Sequence, residues 1–312
     1  MLVQKTVSLG KEFNPFTGQM EKVYTKVNTN LRVVTDHAKK KAKVTDFVAL
    51  CCGNVIEIKH YEKSLVYDFE STQSNRSGKK SNHFEKRSDS VNRAKHRLRQ
   101  LINTNVTKNS KFVTFTFAEN VQDVKKAKDI FKKFIKRLNY YLSLKNHKQL
   151  KYVYVVEFQD KNGRGAVHFH VIFFNLNFIK SDILEKIWGQ GFIKINLIKH
   201  VDNVGAYVVK YMDKGVADER LTNSDLYGRS RGNLREPLII KDRFQVLLIM
   251  KQFKNNICYF KSFVSEKLGK IEYMQFNTKR IFKKNIKNEK NSSYLYNFSK
   301  FYEQFGLKNQ IA

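Results

Sequence analysis

The chain has 312 residues, enough for one large domain or a catalytic domain with appendages, and its 59 Lys and Arg against 28 Asp and Glu leave a net charge of +31. An excess of that size, spread from end to end, attracts polyanions. The longest apolar stretch is VLLIM at 246–250, far too short to cross a bilayer, and no signal peptide is visible, so nucleic acid is the expected partner and a membrane is not. Cys51, Cys52 and Cys258 lack CxxC spacing, which argues against a disulfide framework and a thiolate zinc site and fits a reducing cytoplasm. Only 2 prolines, with abundant Lys, Asn, Ile, Phe and Tyr, suggest an AT-rich coding genome.

Short strand-like stretches occupy the first part of the chain: VYTKV (23–27), LRVV (31–34), NVIEIKHY (54–61) and SLVYDF (64–69). A polar segment, STQSNRSGKKSN (71–82), follows as a flexible stretch. Ser90 is the expected cap of a helix over 91–102, with Val91, Ala94, Leu98, Leu101 and Ile102 as its apolar stripe and Arg93, Arg97 and Gln100 facing away. That helix is either an ordinary basic surface helix or one that contacts phosphates through Arg93, Lys95, Arg97 and Arg99.

From residue 111 the pattern sharpens. KFVTFTF (111–117) alternates, with Val113, Phe115 and Phe117 on one face and Thr114 and Thr116 on the other. A helix over 120–144 aligns Val124, Ala127, Phe131, Phe134, Ile135, Leu138 and Leu142. Strands YVYVVEF (152–158) and GAVHFHVIFF (165–174) come next, then a helix at 181–188 capped by Ser181, a strand at 191–198 and a helix over 203–214. The order βαββαβ predicts an α+β, ferredoxin-like core with a central antiparallel sheet, two helices on one face and the other face open for a ligand. Beyond it, 257–264 and 270–276 read as a hairpin and 279–293 as a basic linker. The expected division is a basic N-terminal region (1–89), a core (90–240) and a C-terminal hairpin and tail (241–312).

Asn162-Gly163 is a favoured type I′ hairpin dipeptide, because both positions need positive φ. With those residues as the turn, Glu157 sits opposite His168 and Val155 opposite His170. Val167, Phe169, Val171 and Phe173 then face the helices, and two imidazoles and a carboxylate share the other face. Two neutral His nitrogens and one carboxylate make a partial coordination sphere for a divalent cation, which in so basic a protein would polarise a phosphodiester. Two buried, hydrogen-bonded histidines are the plainer alternative, and a one-residue slip would remove Glu157 from the set. Tyr207 and Tyr211, four residues apart, share one helical face bordered by Lys210. A tyrosine can attack phosphorus and hold the broken strand as an ester; the alternative is that both tyrosines simply pack.

Taken together, Thr114-Phe115-Thr116-Phe117, Gly165-Ala166-Val167-His168-Phe169-His170 and Tyr207-Val208-Val209-Lys210-Tyr211 resemble the three ordered motifs of the rolling-circle replication initiators, the HUH endonucleases of small phages and plasmids. The likeness spans about residues 90–240 and is best to initiators from AT-rich Gram-positive or mollicute hosts. It implies that His168 and His170 bind Mg²⁺ or Mn²⁺ and that a nearby acidic or His side chain completes the site, for which hairpin register nominates Glu157. The pattern hydrophobic-x-x-Tyr-hydrophobic-x-Lys maps onto Val204 to Lys210 and makes Tyr207 the primary nucleophile. The spacing to Tyr211 resembles the two-tyrosine phage branch, in which a second tyrosine serves a later cleavage.

No GxxxxGK[ST] loop occurs, so a host helicase is expected to unwind the duplex. The expected activity is nicking of single-stranded or supercoiled origin DNA, leaving a 3′-OH for a host DNA polymerase. An HUH transposase or relaxase, and a non-catalytic single-stranded nucleic-acid-binding protein, are the alternatives.

Overall fold

The computed structural model describes residues 4–14, 19–28, 43–67, 83–160, 164–212, 220, 225, 227–232, 234–280 and 292–305. Its elements in chain order are β1 (Gln4–Asn14), β2 (Gln19–Asn28), β3 (Lys43–Cys52), β4 (Val55–Tyr67), α1 (His83–Asn105), β5 (Lys111–Phe115), α2 (Val124–Ser143), β6 (Tyr152–Gln159), β7 (Ala166–Phe173), α3 (Ser181–Trp188), β8 (Ile193–Leu197), α4 (Val204–Val209), β9 (Tyr227–Arg229), β10 (Leu238–Ile240), α5 (Arg243–Gln252), β11 (Ile257–Ser265), β12 (Gly269–Asn277) and α6 (Ser292–Gln304). The described residues thus form a mixed α/β protein with antiparallel sheets and six helices. They divide into two compact units, residues 79–237 and a second built from residues 1–78 with 238–312.

In the first unit the strands lie in the order β8-β5-β7-β6-β9, every neighbour antiparallel. One face of this sheet packs on α2 and α3. The helix α2 forms because seven apolar residues recur at helical spacing, and Val124, Ala127, Phe131, Phe134, Ile135, Leu138 and Leu142 are its buried residues, as the periodicity predicts. Asp123 caps it, accepting from the amides of Lys125 and Lys126. These side chains join Val113, Phe115, Val167, Phe169, Val171 and Phe173 in one core with Trp188.

The opposite face, expected to be open, is half covered. Leu98, Leu101 and Ile102 of α1, with Val204 and Val208 of α4, bury Phe112, Val153, Val155 and Ile172 beneath them. Four apolar residues pointing to that face made exposure to water unfavourable, and two helices from outside the βαββαβ unit cover them. Toward the other end the same face becomes polar, through Thr114, His168 and Glu157, with exposed Lys194 paired to Thr114.

Helix boundaries shift in three places. The helix α1 starts at His83, so Ser90 lies inside it and caps nothing. The cap of α3 falls on Lys180, with Ser181 as the first helical residue and no side-chain capping bond. The tyrosine helix α4 ends at Val209, and Lys210–Met212 continue as a single 3₁₀ turn.

In the second unit the order is β10-β3-β4-β12-β11, again antiparallel, so strands from both ends of the chain share one sheet. The stretches 54–61 and 64–69 merge into the single strand β4 as far as Tyr67. Phe47, Ile58, Met274 and Phe276 face Val246 and Met250 of α5 and Phe298, Phe301 and Tyr302 of α6. Strand β3 lies where the sequence reading places no element, whereas the hairpin β11-β12 agrees with it. Strands β1 and β2 pair as a separate two-stranded sheet. The stretches LRVV (31–34) and 71–82, the Asn162-Gly163 turn and 281–291 of the basic linker lie outside the described residues.

Phe169 sits between the two histidines, fully buried, with its ring 4.8 Å from Phe131 and 5.5 Å from Tyr154. Phe169→Ala is expected to destabilise this unit by about 3–5 kcal/mol without touching a polar group of the strand. Urea unfolding followed by the fluorescence of Trp188, the single tryptophan, measures it.

Candidate active site

The register of β6 and β7 places Glu157 opposite His168 and Val155 opposite His170. Since Phe169 is committed to the α2 side, alternation sends His168 and His170 together to the α1 and α4 side. The pairing agrees with the register deduced from the sequence. The Glu157 carboxylate, however, leans to the diagonal neighbour: its Oε2 lies 2.5 Å from His170 Nε2.

His170 is held from several directions. Its Nδ1 lies 3.2 Å from the hydroxyl of Thr114, its direct cross-strand partner on β5. The Tyr211 ring stacks on it with centroids 3.8 Å apart, and Phe112 lies nearly parallel at 5.8 Å. The Tyr211 hydroxyl donates to the Tyr207 oxygen at 3.4 Å, and Phe112 meets Tyr207 edge-on at 5.5 Å. Thr114, Glu157, His170, Tyr207 and Tyr211 are therefore drawn into one connected group.

The tyrosines reach this place because α4 is fastened to α1. Asn203 caps α4, its Oδ1 accepting from the Ala206 amide at 3.0 Å and from Asn103 Nδ2 at 2.9 Å. Asn103, buried in α1, accepts from the Gly205 amide at 2.8 Å. At Gly205 the helices approach so closely that a Cβ would stand 2.3 Å from the Arg99 carbonyl oxygen, which excludes any side chain there. Sequence reading missed these residues. An Asn just before an apolar helix is a capping signal, but nothing local marks its partner on α1.

Tyr211 has its pKa raised above the ordinary tyrosine value of 10.0, chiefly by burial, then by its hydrogen bond with Tyr207 and the charges of Tyr207 and Glu157. The protonated phenol is thus a hydrogen-bond donor at neutral pH. Lys210, beside the tyrosines in sequence, is exposed. Arg93 and Arg97 are exposed on α1, whereas Lys95 and Arg99 are half-buried, with an Arg99 guanidinium nitrogen 3.3 Å from His96 Nδ1.

The donor chemistry suits a hard divalent cation. His170 Nε2 and Glu157 Oε2 point at one another, and His168 projects from the same strand face. Among the described residues no three His, Cys, Asp or Glu are gathered into a coordinating group, because the His170 and Glu157 donors engage each other. Those two side chains and His168 are the residues that could hold the ion.

Residues 110–216 match the family of the replication-associated protein ORF2 and the gene-2 protein. That span runs from β5 through α4 and includes Thr114, Glu157, both histidines and both tyrosines. The match supports a role in initiating replication. No curated protein and no solved structure matches the chain. Among the described residues no helix is long and apolar enough to cross a membrane.

Removing the Asn103 amide strands the buried Gly205 N–H, so Asn103→Ala is expected to cost about 1–3 kcal/mol in urea unfolding. Gly205→Ala, which overpacks the helix contact, is expected to cost a similar ~1–3 kcal/mol. Spectrophotometric titration of wild type against Tyr211→Phe should show one phenol ionising above the ordinary value of 10.0. Because the folded pKa is the raised one, the stability this implies is complete below pH 10.0 and is lost as pH climbs toward the folded value.

Proposed function

We propose that this protein is an origin-specific DNA nickase and strand transferase that starts rolling-circle replication, with Tyr207 as nucleophile and His168, His170 and Glu157 as ligands of Mg²⁺ or Mn²⁺. The observation that carries this reading is the convergence of the Tyr207–Tyr211 pair on the His170–Glu157 pair within the segment that matches a replication-associated family. The strand order of the βαββαβ unit, fourth-first-third-second, is that of a ferredoxin-like core and supports the HUH assignment.

The Tyr207 oxygen attacks a backbone phosphorus, forming a 5′-phosphotyrosine ester as the bond to the 3′ oxygen breaks. The phenol gives up its proton, and the departing oxygen takes one up to become the 3′-OH primer. A later 3′-OH attacks the ester, restores the phosphodiester and returns the phenol. The ester stores the energy of the broken bond, so rejoining needs no nucleotide cofactor. The cation, when bound, supplies Lewis-acid polarisation of the phosphate. Tyr211, donating to the Tyr207 oxygen, steadies negative charge as it develops there.

Tyr211 is in this reading a helper first, packed on His170, with a later cleavage as its alternative role. Exposed Arg93 and Arg97, with Lys95 and Arg99, contact DNA phosphates along α1. Lys210 is placed to meet the phosphate rather than the phenols. A host helicase and DNA polymerase in the cytoplasm supply unwinding and extension.

The test is a labelled single-stranded oligonucleotide carrying the candidate origin, incubated with Mn²⁺ or with chelator and resolved on denaturing gels. Wild type is expected to form a Mn²⁺-dependent covalent adduct that Tyr207→Phe abolishes. Tyr211→Phe should still form it, roughly tenfold more slowly, the effect of one lost hydrogen bond. Tight binding without an adduct in any metal would leave a binding protein. An adduct from a protein that fails to replicate a plasmid bearing the origin would indicate a transposase or relaxase.

A further inference from the structure

We propose that Thr114 is a positioning residue for His170, whose hydroxyl reverses its hydrogen-bond role to let Nε2 become a cation ligand. The inference rests on the cation-binding reading of His170 and Glu157 above and adds a residue to which neither the family match nor the motif spacing assigns a task.

The geometry carries the argument. A carboxylate only accepts, so with the imidazole neutral, Nε2 carries the ring hydrogen and donates it to Glu157 Oε2 at 2.5 Å. Nδ1 is then an acceptor, and its neighbour at 3.2 Å, the Thr114 hydroxyl, donates to it. A cation at Nε2 needs the lone pair on that nitrogen. The hydrogen lost from Nε2 is matched by one gained at Nδ1, so the ring stays neutral and changes tautomer. Nδ1 now donates, and Thr114 must accept.

A hydroxyl is suited to both states, having one donor and two lone pairs. Turning the ring over is the other way to exchange the nitrogens, and the packing opposes it. Tyr211 stacks at 3.8 Å, Phe112 lies parallel at 5.8 Å, and the residue is 5 % exposed. The position of Thr114 follows from the β5–β7 register, which sets it directly opposite His170, with Phe112 one pleat away on the same face.

The experiment measures Mn²⁺ binding to the full chain by paramagnetic resonance, without DNA, for wild type, Thr114→Ser and Thr114→Val. Circular dichroism and Trp188 fluorescence confirm folding. Val keeps the branched shape and lacks the hydroxyl; Ser keeps the hydroxyl. Thr114→Val is expected to bind Mn²⁺ about 10–100-fold more weakly, the usual consequence of removing a partner of a ligating histidine. Thr114→Ser is expected to retain most of the affinity.

Nitrogen NMR of the wild-type imidazole should show the Nε2–H form without metal and the Nδ1–H form with Mg²⁺. Equal affinity in Thr114→Val and wild type, equal losses in Thr114→Val and Thr114→Ser, or an unchanged tautomer on Mg²⁺ binding each overturn the proposal. Wild type that binds Mn²⁺ while Thr114→Val matches it leaves the cation site standing without this role for Thr114. Wild type that binds no Mn²⁺ removes both.

Discussion

The register between β6 and β7 is the constraint from which the site follows. Side chains alternate along a strand, so a slip of one residue would carry Glu157 to the α2 side and put an aliphatic residue against His168. The register is held by burial on that side, where Val156 and Phe158 of β6 share one core with Val167, Phe169 and Val171 of β7. Exposing such a set to water would cost far more than any polar contact on the other face could recover. Packing on one side of the sheet thereby decides which polar groups meet on the other.

The second dependence is on a very short helix. Six residues in α4 cannot hold helical structure alone, since nucleation is unfavourable and little propagation follows it. Its stability is borrowed from α1 through the Asn103 and Asn203 amides and the bare backbone of Gly205. The same contact sets where the phenols stand, so a polar pair distant from the reacting groups controls their placement. Preorganisation of this kind matters because reacting groups must be held within a fraction of an ångström, and loops seldom do so.

The unit formed from the two chain ends has its own core and its own buried polar group. Glu272 is buried, which alone would raise its pKa, yet hydrogen bonds from His60 at 2.8 Å and Lys270 at 2.7 Å hold it below the ordinary carboxylate range. Because β3 and β4 come from one end of the chain and β11 and β12 from the other, this sheet closes only when both ends are present. Its strands flank in sequence the segment that matches the replication-associated family without belonging to it.

Local periodicity made much of the central unit legible. The buried stripe of α2, the alternation in β5 and the hairpin register of β6 and β7 all depend on residues near one another in sequence, where side-chain direction follows from the backbone repeat. The chemical residue types of the site, two histidines, a glutamate and two tyrosines, were legible for the same reason. What only the tertiary structure decided is long-range: that α1 and α4 cover the second face, that Glu157 leans to His170, that Thr114 meets Nδ1, and that the chain ends share a sheet. Those outcomes arise from competition between distant surfaces for burial, and no repeat within a single segment records which of them wins.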